Sequence, residues 1–322
     1  MRILLFISFA FMAITSFGQF RDSVTNKLDS SYSNHRAFLS TKKSHPFIQP
    51  VDLFSLKAVK QKKNFVYSKT GKRKLLMDAF YPADNNNKAA IIMIHGGGWR
   101  SGNRTQHYPL LQQLAKLGYT CFAPEYRLST EALFPAGVYD VKAAIRWVRA
   151  NAGQFNIDTA KIVIAGFSAG GELAAFMATT GNMPLFEGSG GNAGTASNVN
   201  ALVDIDGTLS FVHPESAEGN DEKKISASTM WFGYSRKDNL PLLTVASPLT
   251  HVNGNTPPTL FINSSVVRMH AGRNDYIRVL NEHKIYSEVK EFENSPHSFC
   301  LFEPWFYPTV ETIDKFLKTV FK

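Results

Sequence analysis

Residues Lys161–Ala178 read KIVIAGFSAGGELAAFMA: an apolar run, a serine flanked by glycines, then a run of good helix formers. The opening KIVIA has the unbroken apolar character of a strand buried on both faces. ELAAFMA continues as a helix. Glycines at 166 and 170 let the backbone reverse sharply between the two, which leaves Ser168 at the tip of the turn. A G-x-S-x-G spacing alone is common; a strand before it and a helix after it supply the context that gives it meaning. A serine hydroxyl attacks only when a base takes its proton. A helix that starts at the serine also aims free N–H groups at developing negative charge. Ser168 is therefore the candidate nucleophile and the Ala169 amide a candidate oxyanion donor.

The same alternation recurs on both sides of this stretch. AAIIMIHGGGW (Ala89–Trp99) is an apolar run ending in glycines, YPLLQQLAKLG (Tyr108–Gly118) is helix-like, and YTCFAPEY (Tyr119–Tyr126) is a strand. Residues 137–155 place Val141, Ala144, Ile145 and Val148 at helical spacing. Further strands follow at NALVDID (Asn200–Asp206), PPTLFINSS (Pro257–Ser265) and YSEVKEFE (Tyr286–Glu293), and a helix closes the chain at Thr309–Phe321. Strands alternating with helices imply an α/β fold: one domain with a mostly parallel central sheet and helices on both faces. Only the front hairpin, NFVYSKT and LLMDAFY around Gly71, reads as antiparallel. The glycine-rich stretch at 184–198 is a long loop, expected to overlie the site.

Residues 1–18 carry Arg2, an apolar run from Ile3 to Ile14 and small residues at Ser16 and Gly18, the layout of a cleavable signal peptide. A secreted or periplasmic protein follows, without stable membrane insertion after cleavage. Residues 19–56 are polar and lack a period, so they read as an N-terminal arm before a domain spanning 57–322. Cys121 and Cys300 are too few for a disulfide framework, and Cys121 sits in an apolar strand. The formal charge is +9, and eight lysines and arginines accumulate between Lys57 and Lys74 without an acid. No nucleic-acid motif accompanies them, and lysines on an edge hairpin guard against strand-to-strand pairing. No nucleic-acid partner is expected, and the chain leaves its oligomeric state open.

HGGGWRSGNR (His95–Arg104) follows a strand end, and its glycines let backbone N–H groups approach a substrate oxygen. Gly97 and Gly98 join Ala169 as candidate oxyanion donors. His95 reads as a structural residue of this loop. A catalytic histidine belongs late in the chain, after serine and acid. His297, in NSPHSF directly after a strand, fits that order better than His251, His270 or His283. Trp99 is a candidate for stacking on a sugar ring. Arg100 and Arg104 are candidates for meeting a uronate carboxylate.

From about Asn64 onward the chain resembles the α/β-hydrolase superfamily, and within it exported carbohydrate esterases and feruloyl-esterase-like proteins related to hormone-sensitive lipase. The resemblance rests on HGGGW, the segment Phe134–Gly171, SPLTHV before PPTLFI, and PHSF. It implies Ser168 as nucleophile, His297 as general base and acid, and the amides of Gly97, Gly98 and Ala169 as oxyanion hole. The chain departs from the family after PPTLFI, where relatives carry the acid. That position falls on Ser265–Val267, and no carboxylate stands there. Asp206, at a strand end, and Asp275, further along the same loop, both remain open, with Glu303 a distant third. A strand end holds a carboxylate more rigidly than a loop does, which favours Asp206. Asp204 is expected on the opposite strand face.

The resemblance implies a serine esterase removing acetyl, methyl or feruloyl groups from a small-molecule or polysaccharide ester, without metal or cofactor. A serine peptidase on the same fold lacks room for the usual propeller domain. A carbohydrate-binding relative that has lost catalysis is the alternative suggested by the empty acid position.

Overall fold

Five strands that the sequence writes as apolar runs lie side by side, fully buried, at the centre of one sheet. In the computed structural model, which describes residues 23–322 except 182, 220 and 223, the sheet has eight strands. The stretch read as a signal peptide lies outside the described residues. The strands are β1 (Val59–Thr70), β2 (Arg73–Pro82), β3 (Ala90–Ile94), β4 (Thr120–Pro124), β5 (Ile162–Phe167), β6 (Ala201–Ile205), β7 (Thr259–Asn263) and β8 (Ser287–Glu291). Their spatial order is β1-β2-β4-β3-β5-β6-β7-β8. β2 runs antiparallel to both its neighbours, and every other pair is parallel.

Residue alternation sorts these strands between two cores. Ile92, Ile94, Ile164, Leu202 and Phe261 face the helices α2 (Ala136–Ala150) and α3 (Ala169–Thr179). Ile91, Met93, Val163, Val203 and Ile262 face α1 (Tyr108–Lys116) and the last helix (Phe306–Val320). Both faces are covered, so a continuous apolar run is what the central strands need. β1 is an edge strand whose Lys60, Lys62 and Lys63 are exposed, as expected of a solvated edge.

The register aligns Ile94 with Gly166, Phe167 with Ile205, and Ile205 with Ile262. The loops after β3, β5, β6 and β7 therefore leave the sheet side by side at its carboxyl end. In open α/β sheets this is where ligands bind.

One expectation is revised. The stretch at 184–198 does not overlie Ser168. Arg146 and Arg149 of α2 hold its carbonyls, with Arg146 Nη2 donating to Gly190 O at 2.6 Å, so it lies on the flank of the molecule. The N-terminal arm is folded onto the body. Its helix Asn34–Thr41 is capped by Ser33, and Gln49–Pro50 pairs antiparallel with Phe302–Glu303. Cys121 and Cys300 are both buried and free. Among the described residues no helix is long and apolar enough to cross a membrane.

Candidate active site

Ser168 sits between β5 and α3 with φ +58° and ψ −123°, a conformation that non-glycine residues rarely adopt. Three glycines make it possible. A Cβ at 166 would collide with the Gly170 carbonyl, one at 170 with the Ile94 carbonyl, and one at 171 with the Asp204 carboxylate. The Ser168 amide donates to Ile205 O at 2.9 Å, which ties the turn to the end of β6.

Ser168 Oγ lies 2.9 Å from His297 Nε2, and His297 Nδ1 lies 2.9 Å from Asp206 Oδ2. An ionised carboxylate only accepts hydrogen bonds, so Nδ1 carries the proton and Nε2 is left to receive the serine's. The imidazole stacks on Phe167, with ring centroids 4.9 Å apart. Its loop is fixed by Ser295, whose amide donates to Ser265 Oγ and whose hydroxyl donates to Phe292 O.

Asp206 is fully buried, at φ +52°, just past the end of β6. Besides His297 it accepts from the Ser264 amide at 2.8 Å, the Ser264 hydroxyl at 2.5 Å and the Asn263 side chain at 3.5 Å. Asn263 and Ser264, just before the stretch 265–267 that lacks a carboxylate, thus supply donors that hold an acid from the neighbouring strand. Asp204 accepts from the Gly207 amide and faces α3. Strand alternation alone would put residues 204 and 206 on one face; the left-handed φ at Asp206 turns its carboxylate away.

The structure does not bring Asp275 to His297. It stands in the first turn of α4 (Arg273–Glu282), half exposed, 3.4 Å from His213 Nε2 and 3.8 Å from Arg278. Glu303 lies in the short strand pair with Gln49, and among the described residues it makes no hydrogen bond or ion pair with His297. His251 bonds Val245 O, His283 caps the exposed end of α4, and His270 is buried without reaching Ser168.

Gly97 and Gly98 have φ +123° and +61°, and among the described residues no hydrogen bond occupies their amides or that of Ala169. The loop is clamped from behind. Gln106 accepts from the Gly96 amide at 2.7 Å, and Ser101 Oγ donates to Gly97 O at 2.9 Å. His95 Nδ1 donates to Gly96 O, its ring stacks on Tyr126, and burial pushes its pKa down to about 4. It is neutral in the ordinary pH range.

Trp99 and Arg100 face tasks other than those expected of them. The Trp99 indole is 3% exposed, lies flat on Trp231 at 4.8 Å, and donates from Nε1 to Glu172 Oε2 at 2.9 Å. No face is left for a sugar. Arg100 is paired with Asp29 at 2.8 Å and donates to Ser23 O, so it fastens the N-terminal arm. Arg104 is held by Asp78, Glu125 and Asn64.

Beneath the loop lie two carboxylates that sequence reasoning gave no task. Burial raises Glu172 and Asp204 well above the carboxylate range, and each retains one oxygen without a partner among the described residues. Above Ser168 is a cavity of about 40 Å³ lined by Gly98, Trp99, Thr208, Ala227, Met269, Glu218 and Arg268. The last five come from the segments after β6 and β7. No local pattern marks them.

This sheet order, a serine on the turn after β5, and an acid and a histidine on later loops define an α/β-hydrolase. The chain belongs to the BD-FAE family, whose model matches residues 77–268. It is 31% identical to the esterase LipC of Mycobacterium tuberculosis over 258 residues, 76% of this chain and 62% of that protein. It is 32% identical to the esterase LipQ of the same organism over 192 residues, 58% of this chain and 45% of that protein. The chain thus spans about half to three fifths of these relatives' length. Among solved structures, a truncated carbohydrate esterase from gut microbiota aligns with a TM-score of 0.69 at 26% identity, over 84% of this chain and 99% of that one.

Proposed function

We propose that the protein is a serine esterase that removes short acyl groups from carbohydrate esters through an acyl-enzyme on Ser168. The observation that carries this reading is the unbroken relay Asp206–His297–Ser168, two hydrogen bonds of 2.9 Å each. Ser168 Oγ attacks the ester carbonyl carbon while its proton passes to His297 Nε2. The negative charge on the carbonyl oxygen meets the amides of Ala169, Gly98 and Gly97. Collapse breaks the bond to the alcohol oxygen, which leaves with the proton from His297. Water then attacks the acyl-enzyme, gives its proton to His297, and releases the acid as Ser168 regains its hydrogen. Asp206 holds the imidazole in the required tautomer and stabilises its charged form.

Among acetyl, methyl and feruloyl esters, the cavity favours acetyl. About 40 Å³ is room for roughly three water molecules, which suits a methyl group better than an aromatic acyl chain. The names of the relatives, two esterases and a carbohydrate esterase, support the class. Turnover of 4-nitrophenyl acetate by the wild type and by Ser168→Ala tests the mechanism; equal rates would remove the serine from it. Release of acetate from acetylated xylan, against ferulate from a feruloylated one, tests the acyl group. Export is part of the same reading, supported by the layout of residues 1–18, and a mature protein that retains those residues would contradict it.

A further inference from the structure

Two charged residues lining the Ser168 cavity, Glu218 and Arg268, make only long contacts among the described residues. Arg268, on the turn Val267–His270 after β7, and Glu218, on the segment after β6, both line the cavity. Their closest approach is 3.6 Å between Arg268 Nη1 and Glu218 Oε1. That is long for a charge-assisted hydrogen bond, which draws in to about 2.7–2.9 Å. Arg104, by comparison, holds Asp78 at 2.7 Å and Glu125 at 2.8 Å. Among the described residues Glu218 otherwise receives only the Ser228 amide at 3.4 Å, although its side chain is just 19% exposed. Among the described residues Arg268 has no other partner, so four of its N–H groups remain available to whatever enters. A mostly covered carboxylate with weak partners is costly unless water or a ligand completes it.

We infer that Glu218 and Arg268 form the recognition pair for the alcohol half of the substrate, and that this half is a neutral sugar ring presenting adjacent hydroxyls. The inference rests on the esterase reading above and deepens it. Each hydroxyl both donates and accepts, so one hydroxyl donates to Glu218 while its neighbour accepts from Arg268. A long alkyl alcohol would bury both charges without replacing their hydration, which is unfavourable. A uronate would set a second carboxylate beside Glu218, where like charges repel. The two residues sit on separate loops, so their spacing measures the distance between adjacent ring oxygens only in the folded chain.

The test compares kcat/KM on an O-acetylated xylo-oligosaccharide with that on 4-nitrophenyl acetate, for wild type, Glu218→Ala and Arg268→Ala. Taking the ratio of the two substrates on one preparation cancels any loss of folded enzyme. Each variant is expected to lower the sugar-to-aryl ratio by about tenfold or more, the usual consequence of removing a partner from a substrate hydroxyl. Ratios within about twofold of wild type in both variants would overturn the assignment. So would a wild type that cleaves the aryl ester and no sugar acetate. With an acetylated galacturonate oligomer, a loss in Arg268→Ala together with a gain in Glu218→Ala would show carboxylate recognition and reject the neutral diol. Aryl acetate turnover that survives Ser168→Ala would instead reject the esterase reading itself.

Discussion

His297 Nδ1 and Asp206 Oδ2 stand 2.9 Å apart although 91 positions separate them in the chain. The carboxylate reaches the imidazole from the end of β6, and Ser264 at the end of β7 holds it there with two hydrogen bonds. Asp275 faces His213 and Arg278 instead. Replacing Asp206 by Asn is expected to lower kcat on 4-nitrophenyl acetate by roughly three to four orders of magnitude, because the wrong tautomer is then favoured. Asp275→Asn changes an exposed surface pair and is expected to stay within about twofold. The opposite ranking would move the acid to α4.

The turn that exposes Ser168 tolerates no added carbon at Gly166, where a Cβ would meet the Gly170 carbonyl. Gly166→Ala is expected to destabilise the fold by about 3 kcal/mol or more, since the clash is with backbone. Gly153 has open space around its Cβ direction, and Gly153→Ala should stay within about 0.5 kcal/mol of wild type. Urea unfolding of the two variants measures the contrast.

Glu172 links the glycine loop at 96–98, source of the proposed oxyanion donors, to α3 through Trp99 Nε1. Glu172→Gln retains an acceptor for the indole, whereas Glu172→Leu removes it and frees the loop. The Leu variant is expected to lose roughly ten- to a hundredfold in kcat with a smaller change in KM, as small misplacements of transition-state donors do. Comparable kcat for Gln and Leu would show that the indole bond does not position the loop.

The same residue has a stability signature. Burial holds the Glu172 proton well above the usual range, so above about pH 4.5 the unfolded chain has released a proton that the folded one keeps. Stability due to this group therefore falls as pH rises. Denaturation midpoints of Glu172→Gln relative to wild type should climb from pH 4 to pH 8. A flat difference would mean the carboxyl is not held protonated.

His95 and His107 act in the opposite sense. Burial lowers them from 6.5 to about 4 and about 3. As pH falls below 6.5 the unfolded imidazoles take protons that the folded ones refuse, and the native state loses stability progressively down to those values. For His95 the loss is on the order of 3 kcal/mol once pH 4 is passed. His107 has no partner for either ring nitrogen among the described residues, so His107→Gln should unfold at lower pH than wild type. An unchanged acid midpoint would contradict the assignment.

What could be read locally was read from local physics. The apolar runs at β3, β5, β6 and β7 declare buried strands because both faces of a central strand must be covered. Ser168 is visible because glycines at 166 and 170 are needed where the turn packs against backbone. His297 follows its strand in the expected order. Trp99, Arg100 and the loop at 184–198 misled, because sequence does not say which neighbour a side chain meets. Trp231, Asp29 and Arg146 are those neighbours, and all are distant along the chain.

The sequence by itself determined the alternation of strands and helices, the exposed serine and the glycine loop beside it, since each depends on residues only a few positions apart. The tertiary structure alone decided which aspartate lies against His297. Asp204 and Asp206 are alike in sequence, and a single left-handed φ of +52° at Asp206 aims one of them at the loop after β7. It also decided what surrounds Ser168, because Thr208, Glu218 and Arg268 converge only when parallel strands bring separate loops to one edge of the sheet.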